Sequence, residues 1–558
     1  MENFFQSGHE KPVSTLEMNE SFSTIPSHED RLKHVETYQT TYEQALPDLY
    51  AADGSIVKMP AASRDPKDPM NLATWRKVVG IGCLSFFGAL IASAELILGA
   101  ALPVFAIQYA GLDPKILGTI SDVQGGFPVG SNPLTYLEGL GGPPIFQIYL
   151  LATLPVLMIG VSNLFLVPMA ISVGRRPVII ATGLLAIAGA AWAGASESLG
   201  SHIGARCIQA IGAGSVESLI PFIIQDVIHV HERNTWISGA FACQGVIIIA
   251  IGFSAPYMIL NLSWRWLYHI TAIAAAFFLV GVFFFLPETR WNRTRGEMNG
   301  IPRDDVGVEY SPRTLKRDLS VYSGVQWRKG GVAFMDTMRT FFYPSILFVT
   351  LLNGSVIASA FAAGFTTAPS LLTQPWSWPF YHLGLCLIAV LIAAGFVAII
   401  TGKVADVTAN WIAKRRGQRV PENQLINLAL PWACSLIGAL LFGLSGGDQT
   451  HYHWIVFLLG LAFMAFGFLG TSTITTVYVL ESYPHMAGPA LVNVASFRWI
   501  MAFFLTLWAS DWIVYYGYKK TYLIYVALIA FFGLFIPVAF FYGPAWRRRF
   551  PGSRHEHI

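Results

Sequence analysis

The chain has 558 residues, of which 54% are apolar and 12% are charged, and its formal net charge is +3. Soluble proteins carry about 25% charged residues, so this composition excludes an ordinary soluble domain and indicates an integral membrane protein. The small net charge gives no reason to expect nucleic-acid binding. All five cysteines fall within apolar stretches, where they are typical of small core residues and not of a metal site or disulfide framework.

Twelve apolar runs are long enough to cross a bilayer, since roughly 20 helical residues span about 30 Å of hydrocarbon. We therefore predict an all-α integral membrane protein with twelve transmembrane helices in two pseudo-symmetric six-helix bundles. The predicted spans are 78–108, 145–171, 178–195, 203–224, 236–258, 267–286, 342–367, 381–401, 425–444, 454–480, 490–511 and 521–543.

The polar segments between these runs predict the organisation of the chain. The predicted parts are a tail (1–76), a first bundle (77–287), a linker (288–341), a second bundle (342–543) and a basic tail (544–558). The linker could hold one amphipathic helix near 330–340. The loop 111–144 is rich in Gly and Pro, and it is either a flap over the outer mouth or a tolerated insertion.

The basic residues predict the orientation. Of thirty-six Lys and Arg, only Arg206 and Arg498 fall inside predicted spans. If the N-terminus is cytoplasmic, thirty of the others lie on the cytoplasmic side. The remaining four lie outside: Lys115, Arg265, Lys519 and Lys520. This positive-inside bias predicts a multi-pass protein, which we expect in the plasma membrane, with both termini and the linker cytoplasmic.

Short basic motifs recur at matching places in the two halves. Gly174-Arg175-Arg176-Pro177 follows the second span. Gly402-Lys403-Val404-Ala405-Asp406 and then Lys414-Arg415-Arg416-Gly417 follow the eighth. Such repetition is typical of duplicated transporter folds.

Other motifs occur in a fixed order along the chain. They are Asp65 to Asn71 (DPKDPMN), Arg206-x-x-Gln209-x-x-Gly212-Ala213-Gly214, Gly245 to Pro256, Pro287-Glu288-Thr289-Arg290 and Tyr478 to Pro484 (YVLESYP). On this ordered set, residues 65–545 resemble the major facilitator superfamily, and within it the fungal twelve-helix drug:proton antiporter-like branch. The first-half loop departs from that family's pattern, because it has Ile171 where the family often has Asp.

The resemblance implies a secondary active transporter that moves a small, fairly hydrophobic molecule by alternating access, with proton-coupled antiport. It implies conformational-switch loops at Gly174, Arg175, Arg176, Gly402, Asp406, Arg415 and Arg416. The alternatives are a proton-coupled importer of a nutrient such as a polyamine or sugar, or a transporter-like receptor. No nucleotide-binding, zinc or nucleophile motif is present, so we expect no enzyme activity, cofactor or metal. We expect a monomer whose partners are its substrate, protons and lipid.

Ionisable residues at membrane depth are the first candidates for function, because burying them costs free energy. Arg206 and Glu217 lie eleven residues apart, within roughly 20° on one helix face and about 16 Å along the axis, so both could face one cavity. Arg206 could instead bond backbone carbonyls. We predict Glu217 and Glu95 as proton carriers, against the alternative that they only pack.

Further candidates have polar or charged side chains near or inside the spans. Gln209 and Gln244 could bind substrate or hold helices together. Glu481 and Arg498 could pair as a charge clamp across the turn 482–489. Asn261-Leu262-Ser263 is an N-glycosylation sequon on the predicted outer side.

Overall fold

The computed structural model describes residues 58–117, 142–298, 300–303, 308–322, 324–416 and 420–550, with the side chains of 92–100, 295, 485 and 510 left out. Most of the loop predicted at 111–144 lies outside the described residues. In the described parts of the chain all regular elements are helical. Twelve of these helices are long and apolar enough to cross a membrane. The predicted fold class, an all-α protein with twelve spanning helices, is confirmed.

The first six spanning helices form one half of the molecule. They are α1 (Thr74–Tyr109), α2 (Ile145–Val173), α3 (Arg175–Ala195), α4 (Leu199–Val227), α5 (Arg233–Asn261) and α6 (Trp264–Phe285). Within this half, α1 packs against α5 and α6, and α4 packs between α2 and α3.

The second half contains the other six. They are α7 (Pro344–Leu372), α8 (Phe380–Arg416), α9 (Asn423–Gly447), α10 (Trp454–Ser482), α11 (Ala487–Leu507) and α12 (Asp511–Arg549). Three shorter helices, Arg295–Met298, Leu315–Leu319 and Trp327–Thr340, lie in the linker between α6 and α7. We call the membrane side that carries this linker the linker side, and the opposite one the far side.

Burial separates central helices from peripheral ones. The apolar windows of α4 and α7 are 78% and 83% buried, whereas that of α12 is 22% buried. The peripheral helices expose large apolar side chains such as Ile273, Phe277 and Phe541. A surface of this kind on helices of membrane-spanning length faces lipid, while α4 and α7 lie at the centre.

Helix α8 is longer than the sequence predicts. The predicted span ends at 401, but the helix continues to Arg416 through a π-helical turn over Ala398–Val404. A π turn accommodates an extra residue without ending the helix. Gly402 and Asp406, predicted in a loop, therefore lie on a helix.

Helix α12 also extends beyond its predicted end at 543. It reaches Arg549, and its backbone is interrupted at Gly517, where φ is 79°. This left-handed conformation is one that glycine adopts without steric cost. In the segment predicted as a basic tail, Arg547 donates to Glu422 Oε2 at 3.0 Å.

The two halves meet through closely packed small residues. A Cβ atom added to Gly160 of α2 would lie 2.7 Å from the carbonyl oxygen of Ser496 on α11. One added to Gly384 of α8 would lie 2.5 Å from the carbonyl oxygen of Phe253 on α5. Membrane helices approach this closely where glycine leaves room for the facing backbone.

Gly160→Ala should destabilise the folded protein by about 1–3 kcal/mol, because the added methyl group overpacks the α2–α11 contact. Gly82→Ala on α1 is the matched control, since nothing lies within 4 Å of its added Cβ. The control should be neutral or stabilising, because alanine is the better helix former. Thermal unfolding of the detergent-purified variants measures both; equal effects would contradict the close contact.

Candidate functional site

A central cavity of about 190 Å³ lies between the two halves. Its lining comes from α1, α2, α4 and α5 of the first half and α7, α8, α10 and α11 of the second. Most of the lining is aliphatic or small. The aromatic members are Phe241, Phe361, Phe468 and Trp499, and the polar ones include Glu217, Gln244, Thr367 and Ser472. Apolar walls with a few polar groups are typical of sites that bind small molecules.

Glu217 forms a bridge between the halves at the wall of this cavity. Its carboxylate, on α4, accepts hydrogen bonds from the Arg498 guanidinium and the Trp499 indole N–H, both on α11. The Glu217 side chain is 18% exposed and that of Arg498 is 4% exposed. The ion pair is thus nearly buried, with Glu217 reachable from the cavity.

The depth of this pair follows from the helix lengths. Glu217 lies ten residues before the linker-side end of α4, which is about 15 Å, and Arg498 lies eleven residues into α11, about 16 Å. Both charges are therefore near the middle of a bilayer of about 30 Å. Removing one partner there leaves an uncompensated charge, which typically costs about 3–5 kcal/mol.

The predicted pairing of Arg498 with Glu481 is wrong. Arg498 pairs with Glu217, while Glu481 accepts a hydrogen bond from Gln424 Nε2 at 3.1 Å. Because α11 begins at Ala487, Arg498 is three turns inside the membrane, whereas Glu481 lies in the last turn of α10. The two residues are close in sequence but far apart along the membrane normal.

Arg206 and Gln209 do not line the cavity, contrary to the expectation that Arg206 shares it with Glu217. Arg206 Nη1 donates to Gln209 Oε1 at 3.2 Å, and Gln209 Nε2 donates to the carbonyl of Ile91 on α1 at 3.0 Å. The axial offset of about 16 Å places Arg206 towards the far side, inside the first half. Their contacts connect α4 to α1.

A buried histidine next to Arg206 was not predicted. His202 hydrogen-bonds Tyr109 at 3.0 Å and Tyr268 at 2.9 Å through its two ring nitrogens, and its ring stacks on Trp264. The Arg206 guanidinium lies 5.9 Å from the Tyr268 ring centroid. No sequence motif marks this cluster, because its members come from three helices.

The remaining membrane candidates divide between the cavity and its surroundings. Gln244 lines the cavity. Glu95 belongs to α1, but its side chain lies outside the described residues. Asn261 is the exposed last residue of α5 and donates to the Tyr257 carbonyl at 3.0 Å. Its glycosylation stays a prediction.

Asp406 connects the two halves at the linker side. Its carboxylate accepts hydrogen bonds from Asn234 Nδ2 at 2.9 Å and from the backbone N–H and hydroxyl of Thr235 at 2.8 and 2.6 Å. These donors are in the first turn of α5, where a negative charge is stabilised by unpaired N–H groups and the helix dipole. Gly402 supports the contact, because a Cβ there would come within 3.1 Å of Ser238 Cβ.

The matching contact of the first half is apolar. Ile171 Cδ1 would lie 2.6 Å from a Cβ added to Gly488, in the first turn of α11. Ile171 stands where the family often has Asp. Its apolar side chain thus packs on the start of α11, which the carboxylate of an Asp would cap.

The other predicted switch residues make contacts within their own halves. Gly174, with φ of 123°, separates α2 from α3. The Arg175 and Arg176 backbone N–H groups donate to the two carboxylate oxygens of Glu288 at 3.0 and 3.2 Å. Glu288, in the PETR motif, therefore caps α3, a role that the sequence did not indicate.

The basic run at the end of α8 also stays within its half. The Arg415 guanidinium lies 3.8 Å from the Trp411 ring centroid. Arg416 donates to Asn423 Oδ1 at 3.1 Å. Arg416 therefore connects the end of α8 to the start of α9.

The DPKDPMN motif attaches the segment before α1 to the linker. Buried Asp68 accepts from the backbone N–H groups of Ser63 and Met70, each at 2.9 Å, and from Arg293 Nη2 at 2.7 Å. Burial alone would raise the pKa of the Asp68 carboxyl, but Arg293 and these N–H groups hold it below its ordinary value. The contribution of Asp68 to stability is therefore lost only as the pH falls through that lowered pKa.

The family model described as Major Facilitator Superfamily matches residues 84–493. The chain belongs to the major facilitator superfamily. It is therefore a membrane transporter of small molecules and not an enzyme.

Three relatives from fungi match at low identity. An uncharacterized MFS-type transporter of Schizosaccharomyces pombe is 22% identical over 90% of this chain and 89% of its own length. The MFS-type transporter paaT of Penicillium rubens is 26% identical over 71% of both chains. The MFS-type efflux transporter ffsH of Aspergillus flavipes is 28% identical over 24% of this chain and 23% of its own.

The fold is similar to that of solved members. The human organic anion transporter MFSD10 superposes with a TM-score of 0.54 at 15% identity, covering 83% of this chain and 100% of the other. At this identity the likeness supports the fold alone.

Glu217→Gln and Arg498→Gln should each destabilise the protein, whereas the double variant should be less destabilised than the sum. The reason is that each single change leaves one buried group without its partner. We expect a coupling energy on the order of 1–3 kcal/mol from the double-mutant cycle, measured by thermal unfolding in detergent. Strict additivity would contradict the ion pair between the halves.

Proposed function

We propose that this superfamily member is a proton-coupled exporter of a small, fairly hydrophobic molecule, working by alternating access between its two halves. The observation that carries the proposal is the position of Glu217, which faces the cavity and binds Arg498 of the opposite half. A single carboxylate can in this way link a proton, a substrate site and the contact between the halves.

The coupling follows from the charge of Glu217. When ionised, it attracts the Arg498 guanidinium and accepts the Trp499 indole N–H. Protonation removes the negative charge, so the attraction across the interface weakens and the two halves can separate. Glu95, on α1, remains the second predicted carrier. Arg206 and Gln209 lie outside the cavity, and we propose that they hold α4 against α1.

Asp406 gives the linker side a second contact that must break in each cycle. Its carboxylate and the α5 donors separate when the cavity opens to the linker side, and they rejoin when it closes. The apolar contact of Ile171 with the start of α11 would open without breaking a hydrogen bond. We therefore assign the switch at this side chiefly to Asp406.

Export and membrane location are further parts of the proposal. Export is supported by the mostly apolar cavity, by the drug:proton antiporter-like motifs and by the efflux function in the name of ffsH. We propose a monomer in the plasma membrane with both termini and the linker cytoplasmic, as the basic residues predict. An importer of a polyamine or sugar is the alternative. In inside-out vesicles an exporter moves its substrate into the vesicle, whereas an importer moves its substrate out.

Orientation can be tested by cysteine labelling. Thr450→Cys, in the exposed far-side turn between α9 and α10, should react with an impermeant maleimide added to intact cells. Lys316→Cys, exposed in the linker, should react only after the cells are permeabilised. The unsubstituted protein gives the background of the native cysteines. The reverse pattern would place the linker outside.

Coupling can be tested in inside-out vesicles with an imposed pH gradient, first screening a compound panel on the wild type. Glu217→Gln mimics the protonated carboxyl, so it should exchange substrate at equal concentrations but fail to accumulate it against a gradient. The double variant E217Q/R498Q removes the unpaired arginine and should show the same uncoupling. Gradient-driven accumulation by both variants would eliminate Glu217 as the carrier.

Glu481→Gln is the matched control for the coupling experiment. Glu481 is also a partly buried carboxylate near the interface, but it bonds Gln424 at the linker side and does not line the cavity. It should retain accumulation. If accumulation is lost in E481Q but not in E217Q, the proton binds at the linker side and not at Glu217.

A further inference from the structure

The linker helix Trp327–Thr340 is attached to both halves of the transporter. Before its first turn, the Gln326 N–H donates to the carbonyl of Ser172 at the end of α2 at 2.9 Å. In its last turns, Asn493 Nδ2 of α11 donates to the Thr337 carbonyl and the Thr340 hydroxyl, both at 2.7 Å. This side of the helix is buried, and its position against α2 and α11 is therefore fixed.

The opposite side of the helix exposes large apolar residues. Trp327 is 69% exposed, Met335 is 73% exposed and Met338 is 38% exposed. At 100° per residue these three fall within an arc of about 80°. Nothing in the described chain covers this arc, although exposing so much apolar surface to water is unfavourable.

The apolar arc is continuous with the lipid-facing surface of the bundle. Phe334, at the edge of the arc, stacks on Phe165 of α2 with ring centroids 5.9 Å apart and an interplanar angle of 21°. Phe165 is itself 59% exposed and belongs to a spanning helix. The arc therefore extends the membrane surface into the headgroup region on the linker side.

Two exposed arginines border the arc. Arg328 and Arg339 lie at about 100° and 120° when Trp327 is placed at 0°, next to Met335 at about 80°. Basic residues beside an apolar helix face are typical of helices that lie in the interface of anionic bilayers. Basic residues at such a position are attracted electrostatically to the negative surface of an anionic leaflet.

We propose that the face formed by Trp327, Arg328, Met335, Met338 and Arg339 is a binding site for anionic phospholipid in the linker-side leaflet. The apolar residues lie among the upper acyl-chain carbons, and the two guanidinium groups bind the headgroup phosphate and carboxylate. The helix contacts both α2 and α11, so a lipid bound here lies next to the interface between the halves. The proposal does not depend on the transported substrate or on proton coupling.

Lipid contact can be measured with a fluorophore at Met335→Cys, in a background without the five native cysteines. The variant is reconstituted in nanodiscs of phosphatidylcholine containing either spin-labelled phosphatidylserine or spin-labelled phosphatidylcholine, with the label near the headgroup. We expect quenching at position 335, stronger with phosphatidylserine. A fluorophore at Lys316→Cys serves as the control in the water-exposed linker and should be quenched less. Quenching at 335 no greater than at 316, or equal quenching by both lipids, would overturn the proposal.

The charge dependence separates anionic-lipid binding from simple burial in the membrane. R328Q/R339Q should make quenching at 335 equal for the two lipids while the protein still elutes as folded transporter in gel filtration. K316Q/R317Q removes two other exposed linker charges and should keep the preference for phosphatidylserine. An unchanged preference in R328Q/R339Q, or its loss in K316Q/R317Q alone, would show that the two arginines do not form the site.

Discussion

The ion pair between Glu217 and Arg498 connects the two halves near the middle of the membrane, where both side chains are largely buried. Separating such charges is costly unless something else satisfies them, since the surroundings have a low dielectric constant. The only carboxylate among the described lining residues of the cavity, that of Glu217, is already bound to the opposite half. Any molecule or proton that binds at this carboxylate changes the contact between the halves as well as the contents of the cavity.

The fold was predictable to the extent that membrane physics determines it. Hydrocarbon thickness fixes the length of each span, and the cost of unpaired backbone groups makes each one a helix. The predicted span ends were less accurate where local geometry decides them. The predicted eighth span ends at 401, but a π-helical turn carries α8 past Gly402 to Arg416.

The candidate site was predicted only in part, because its contacts are long-range. Burial cost pointed correctly to Glu217 and Arg498 as unusual residues, but their partners could not be inferred. Glu217 and Arg498 are 281 positions apart. Glu481 is nearer to Arg498 in sequence, but it is not the partner of Arg498. Likewise, helix periodicity put Arg206 on the same face as Glu217 but carried no information about where the cavity ends along that face.

The unlike contacts of Ile171 and Asp406 have a consequence for how the molecule opens. Hydrogen bonds are directional, so those of Asp406 with the start of α5 are either made or lost over a small displacement. The Ile171 side chain against Gly488 has no such requirement, because apolar contact is non-directional and tolerates sliding. The α2–α11 seam can thus act as a pivot while the α5–α8 seam parts. The linker side would then open as an asymmetric wedge, widest beside Asp406, instead of as a symmetric pore.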